Sequence, residues 1–224
     1  MVTETKKERK NMEHPEDIVS YIKNLDGPAD GQSVNALLKA IFRGFRMNSI
    51  EEIFNSNNYY AIIEGSWLVS ELGEKASNLN DVLEKMLGFD HYYIKYCFID
   101  SCITSRRKSE CMIIKSIWRF LDDLDIRVRT RAIEWVASAD RDALRALWEY
   151  GCKEMAREEH FSYEEIDMTY VVNHPLIGDR RFRAVLIGIS MRKRFFEKWI
   201  DMKIEHEDSA LIEILKKTGV KISN

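Results

Sequence analysis

A chain of 224 residues that is 45% hydrophobic and 11% aromatic can bury a sizeable core, which excludes a disordered segment. Its net charge of −3 excludes a bulk electrostatic pull toward nucleic acid or an anionic membrane. No apolar run approaches the ~18 residues that a membrane span needs. With 3 Pro, 10 Gly and no alternating β-rich run, the pattern throughout is helical.

The first stretch, residues 1–13, is polar and charged and reads as a mobile tail, with no signal-peptide pattern. Residues 14–224 read as a single helical-repeat domain with an insertion at about 151–175. His14-Pro15-Glu16-Asp17 opens a short helix with Ile18, Val19, Ile22 and Leu25 apolar, and Gly27-Pro28-Ala29-Asp30-Gly31 breaks it. Ser33 is the expected cap of the next helix, whose apolar face is Leu37, Leu38, Ile41, Phe42 and Phe45. Ser49-Ile50-Glu51-Glu52 resembles a capping box opening a helix to Asn55. A long helix follows from Tyr60 to Leu72, closed by Gly73. Further helices are expected at Asn78–Leu87, His91–Thr104, Glu110–Leu121 and Asp140 to about Tyr150, with a basic turn at Arg106-Arg107-Lys108. The pattern resumes from Arg180 to Lys193. It ends with Phe195–Met202 and Ser209–Lys217, the last read as a cap on the stack.

The most informative stretch runs from Asp125 to Val136. Val128, Ala132, Ile133 and Val136 make one buried stripe, and Asp125 stands where a carboxylate caps free backbone N–H groups. The motif recurs. Ile94, Phe98 and Ile99 lie 34 residues earlier, after Asp90. Ile62, Ser66 and Trp67 lie 32 residues before those, after Asn58. Phe182, Leu186 and Ile187 follow Asp179, 54 residues beyond Val128. Helix pairs repeating at this period predict a short right-handed α-solenoid of stacked helical hairpins.

No HExxH, GxxxxGK[ST], GxSxG or GxGxxG is present, so no catalytic, cofactor or metal residue is assigned. Glu158-Glu159-His160 reads as a solvated charge run, and Asp122-Asp123-Leu124-Asp125 as turn and cap chemistry rather than a calcium loop. Cys97, Cys102, Cys111 and Cys152 form no CxxC pair and read as free thiols of a cytoplasmic protein.

The recurring helix carries a second face beside its stripe. Tyr93 matches Arg127, Tyr96 matches Thr130 and Asp100 matches Glu134; on the earlier copy the same face holds Ala61, Glu64, Leu68 and Glu71. The candidate partner-binding residues are therefore Glu64, Trp67, Glu71, Tyr92, Tyr93, Tyr96, Asp100, Arg127, Arg131 and Glu134. Aromatic and arginine side chains together are what protein interfaces use as anchors.

Asp125-Ile126-Arg127-Val128-Arg129 with Ala132-Ile133 resembles HEAT repeats, whose D-x-x-V-R-x-x-A pattern it nearly follows. The resemblance covers roughly Asn58 to Ala139 and returns at Asp179 to Met191. Ser66 stands where that pattern prefers alanine, and Lys95 where it prefers arginine. Ser66-Trp67-Leu68-Val69-Ser70-Glu71-Leu72-Gly73, followed by two such repeats, is similar to small bacterial HEAT-like immunity proteins of polymorphic toxins. The resemblance implies a non-enzymatic module, a monomer or weak dimer, that binds and neutralises a cognate toxin domain. It implies no catalysis, no cofactor and no membrane. The alternative is a HEAT-like DNA-binding protein or DNA glycosylase-like enzyme, gripping phosphates with Arg127, Arg131, Arg181 and Arg183 around Trp67, Trp135 and Asp100. The acids among those arginines and the negative net charge oppose it.

Overall fold

A computed structural model describes residues 14–104, 108–157 and 174–192. The described residues are helical and contain no strand, as the sequence pattern requires. The helices expected at Phe195–Met202 and Ser209–Lys217, and Glu158-Glu159-His160, lie outside the described residues. Among the described residues no helix is long and apolar enough to cross a membrane. The chain divides into two compact units, Met1–Leu72 and Gly73–Asn224.

The first unit holds α1 (Pro15–Lys23), α2 (Gly31–Phe42), α3 (Ser49–Asn55) and α4 (Tyr59–Glu71). Pro15 sits at the first helical position, where its missing N–H costs no hydrogen bond. Helix α2 is capped by Asp30, not by Ser33. The Asp30 carboxylate accepts from the backbone N–H of Gln32 (2.8 Å) and Ser33 (3.3 Å), and the Ser33 hydroxyl donates to it (2.6 Å). The capping box expected at Ser49 is absent too. The Ser49 hydroxyl donates to the Arg46 carbonyl, and Glu52 pairs with Arg46. Gly44, in the left-handed region at φ 106, closes α2, with the Phe45 N–H donating to the Ala40 carbonyl at 2.9 Å. Val34, Leu37 and Ile41 bury the α2 face, while Phe42, expected inside, is 50% exposed because it falls off that stripe. Asn58 joins two helix ends. Its Oδ1 accepts from Tyr60 N–H (2.9 Å) and Ala61 N–H (3.3 Å) at the start of α4. Its Nδ2 donates to the carbonyls of Leu25 (2.7 Å) and Lys23 (3.3 Å) at the end of α1. Gly65 lets α4 approach α3, since a Cβ there would lie 2.8 Å from Phe54 Cε2.

In the second unit a short 3-10 helix (Gly73–Asn78) leads into α5 (Asn80–Leu87), α6 (Tyr92–Thr104), α7 (Cys111–Phe120), α8 (Ile126–Ser138) and α9 (Arg141–Glu154). A second 3-10 helix (Pro175–Gly178) precedes α10 (Arg180–Arg192). Helix α9 runs past its expected end near Tyr150, because Leu147, Trp148, Gly151 and Cys152 continue one buried face. His174 and Pro175 start the second 3-10 helix, with His174 Nδ1 accepting from the Leu176 N–H at 3.2 Å. Helix α8 lies between α6 and α10; α5 packs on α6, α7 on α8 and α9, and α9 on α10.

The four recurring helices, α4, α6, α8 and α10, are each 13 residues long. Side-chain caps start three of them: Asn58 for α4, Asp125 for α8 and Asp179 for α10. The predicted stripe is real, with Ile94, Phe98, Ile99, Val128, Ala132, Ile133, Val136, Phe182 and Leu186 all buried. Ser66 is tolerated in the α4 stripe because its hydroxyl returns to the Ile62 carbonyl (2.8 Å). Gly188 of α10 lies against Val136 of α8, and Gly151 of α9 lies beneath Trp118 of α7, with no room for a side chain at either glycine. Trp118, Trp148 and Phe182 meet edge to face at 5.0 and 5.1 Å, all fully buried or nearly so. Each such side chain contributes roughly 1.5–3 kcal/mol by leaving water.

Candidate functional site

In the second unit, α6 and α8 bring seven of the candidate residues together. The Arg131 guanidinium reaches from α8 to the Asp100 carboxylate on α6 and also pairs with Glu134 on its own helix. It lies 5.4 Å from the Tyr96 ring centroid. One turn earlier on the same face, the Arg127 guanidinium sits 3.4 Å from the centroid of Tyr92. Arg127 and Arg131 of α8 thus each lie over a tyrosine of α6. Tyr92 is exposed; Tyr93, Tyr96, Asp100, Arg131 and Glu134 are half-buried. Tyr93 packs edge to face on Tyr92, with 6.3 Å between ring centroids.

The acids and bases of this face are already matched. Asp125 takes Arg127 through Nε (2.9 Å) and Nη2 (2.6 Å) while capping α8 through the Arg127 N–H (2.8 Å). The Arg127 guanidinium beside it, with those N–H bonds, holds the Asp125 carboxyl down at about 2. Lys95 on α6 donates to Asp90 (2.5 Å) and to Asp123 (2.8 Å). Burial alone would lower the Lys95 ammonium, but the two carboxylates outweigh it and its pKa is raised.

The turn between α7 and α8, expected from its acidic run, is held by residues that the sequence did not single out. Cations from three helices hold it: Lys95 of α6 on Asp123, Arg129 of α8 on the backbone, and Arg180 of α10 on Asp122 at 3.1 Å. Buried Arg129 donates through Nη1 to the carbonyls of Asp123 (2.6 Å) and Leu124 (3.0 Å). Asp123 Oδ1 accepts the Asp125 N–H at 2.9 Å, which completes the turn. Leu124, at the tip, is 100% exposed. The Asp-Asp-Leu-Asp run was legible as turn and cap chemistry. Its partners, 28 and 58 residues distant, were not.

The remaining candidates, Glu64, Trp67 and Glu71, belong to the first unit. Glu64 is half-buried on α4 and accepts the Ala29 N–H at 3.2 Å; burial raises its carboxyl pKa, and the Ala29 hydrogen bond opposes that. Trp67 is half-buried and Glu71 exposed. Ala61 and Leu68, assigned to the same exposed face, are buried, so the α4 copy does not present that face continuously. Trp135, expected on an open surface in the DNA-binding alternative, is fully buried. Arg181 lies 4.9 Å from the Trp118 ring centroid and 3.6 Å from Asp179.

Among the described residues no group of His, Cys, Asp and Glu is placed to hold a metal ion. The four cysteines are free thiols; Cys97, Cys102 and Cys152 are buried, and burial pushes Cys102 up to about 12. No protein-family model matches this chain, no curated protein matches it, and no solved structure matches it.

Proposed function

We propose that this chain is a non-enzymatic binding module, a short right-handed solenoid of HEAT-like hairpins that holds a protein partner on the face of α6 and α8. The observation that carries the reading is the pair of arginine–tyrosine stacks between these neighbouring helices, Arg127 on Tyr92 and Arg131 on Tyr96. Such stacks hold large side chains in one geometry before a partner arrives, which lowers the ordering cost of association. Within this reading the partner is a cognate bacterial toxin domain and the protein acts in the cytoplasm. The Ser66–Gly73 stretch and the resemblance to immunity proteins support that narrower assignment.

The DNA-binding reading has less support. A base needs an open aromatic platform, and Trp135 is buried. Arg127 and Arg131 are neutralised by Asp125, Asp100 and Glu134. A phosphate would have to displace those carboxylates.

The test is capture of the partner from the native host with the tagged full chain, beside a Tyr93→Ser, Tyr96→Ser variant. A protein retained by the parent chain and lost from the variant, with unchanged helical circular dichroism, supports the reading. Equal recovery by both chains, or salt-dependent retardation of DNA in a gel, overturns it.

A further inference from the structure

We propose that the outer stripe of α4, in the first unit, is a docking site for an arginine-bearing segment of a protein partner. The guanidinium pairs with Glu64 and lies against the rings of Tyr60 and Trp67. The inference is carried by the first unit alone, so it stands or falls apart from the α6–α8 reading.

Helix α4 buries Ala61, Ile62, Gly65, Ser66, Leu68 and Val69. Its periodicity leaves Tyr60, Glu64, Trp67 and Glu71 on one outward stripe, at i, i+4, i+7 and i+11. Tyr60 and Glu71 are exposed, and Glu64 and Trp67 are half-buried. Aromatic and acidic side chains alternate along this stripe, and α4 contains no Lys or Arg. Glu64 Oε1 accepts the Ala29 N–H at 3.2 Å, which fixes the carboxylate. Among the described residues no cation pairs with Glu64, and its Oε2 takes no hydrogen bond. Trp67 meets no other ring and no cation among them either. Folding has already drawn this carboxylate partly out of water, so an arriving cation gains more from it than from a fully hydrated one.

The molecule itself shows what such a pair holds. On α6, Tyr96 and Asp100 stand four residues apart, as Tyr60 and Glu64 do on α4. Arg131 of α8 pairs with Asp100 and lies 5.4 Å from the Tyr96 ring centroid. Helix α4 presents the same tyrosine-then-acid pair with no arginine of the described residues upon it. A guanidinium suits the pair better than an ammonium, since its plane can lie on a ring while its edge donates to a carboxylate. Trp67 extends the ring surface by one turn, and Glu71 suits a second cation about 10 Å along the helix from Glu64. A polyanion would meet two carboxylates with no cation beside them and be repelled.

The experiment titrates the full chain into fluorescein-labelled hexa-arginine and follows anisotropy, at about 0.15 M salt so that long-range attraction is screened. Glu64→Gln is expected to bind at least about fivefold more weakly than the parent chain, and Tyr60→Leu about two- to fivefold. Glu16→Gln, exposed on α1, should bind as the parent does. Glutamine can still accept the Ala29 N–H, so the melting temperature of Glu64→Gln should be unchanged. Hexa-lysine should bind more weakly than hexa-arginine. Absence of saturable binding overturns the inference. So do equal losses in Glu64→Gln and Glu16→Gln, since net charge alone accounts for them. Equal affinity for hexa-lysine, or tighter binding of spermine, overturns the assignment to arginine. Binding seen only when Lys6, Lys7, Arg9 and Lys10 are all alanine makes the chain's own N-terminal segment the occupant. A dimer in ultracentrifugation that Glu64→Gln abolishes makes the occupant a second copy. Either result overturns the assignment to a separate partner.

Discussion

Two regions of the second unit are held together by different physics. Around Trp118, Trp148 and Phe182, helices α7, α9 and α10 meet through area and shape, and Gly151 lets the α9 backbone lie against the Trp118 ring. Around the α7–α8 turn, α6, α8 and α10 meet through directed contacts from Lys95, Arg129 and Arg180. The first region tolerates little volume change, as a close-packed core does. The second can lose the exposed Arg180–Asp122 pair and keep its helices, because an exposed ion pair is worth little alone. Stability resides in the former, and the pose of a surface loop in the latter.

The largest expected effect breaks the core side of that contrast. Trp118→Ala removes the ring that fills the space over Gly151 and beside Phe182, and should cost about 3–5 kcal/mol in urea denaturation. A cost under about 1 kcal/mol would place the core elsewhere. Next is Arg129→Met, which keeps the buried stem but strips two carbonyls of their donor, for a cost of about 1–3 kcal/mol. Faster amide exchange should then be confined to the turn around Leu124.

Asp125→Ala sharpens the contrast through pH. It removes the α8 cap and the Arg127 pair, costing about 1 kcal/mol at neutral pH. Because Arg127 holds the Asp125 carboxyl at about 2, below the ordinary carboxylate value, this stabilisation is present above about pH 4 and lost as pH falls through about 2. Parent and variant melting temperatures should therefore converge in acid. The smallest effect is a gain. Ala156 closes α9 in the left-handed region at φ 49, with the Arg157 N–H on the Cys152 carbonyl at 2.8 Å. Ala156→Gly relieves that strain, and should stabilise the unit by less than about 1 kcal/mol after the entropy cost of glycine.

The sequence was most readable where a rule is local. Spacing placed the stripe of α8 and its relatives in α6 and α10, and Asp125 announced the start of α8, because both follow from helix geometry within a dozen residues. Caps were less secure. Asp30 competes with Ser33 over three positions, and the carboxylate wins as the stronger acceptor. Phe42 and Trp135 were misplaced, one inward and one outward, since a ring's fate depends on which neighbouring helix covers it. Tyr92, Tyr96, Arg127 and Arg131 were legible as one face; that Asp100 and Glu134 would both turn onto Arg131 was not. The clamp on Leu124 joins residues far apart along the chain, beyond the reach of any periodicity.

Asn58 imposes a chemical choice on its position. The other side-chain caps on the described α-helices, Asp30, Asp125, Asp140 and Asp179, need only an acceptor, and each is an aspartate. Asn58 must also donate, to the carbonyls that end α1. An isosteric carboxylate would serve one helix and repel the other, so a single oxygen-for-nitrogen exchange, of the kind that spontaneous deamidation brings about, would uncouple the two helix termini without altering the shape of the side chain.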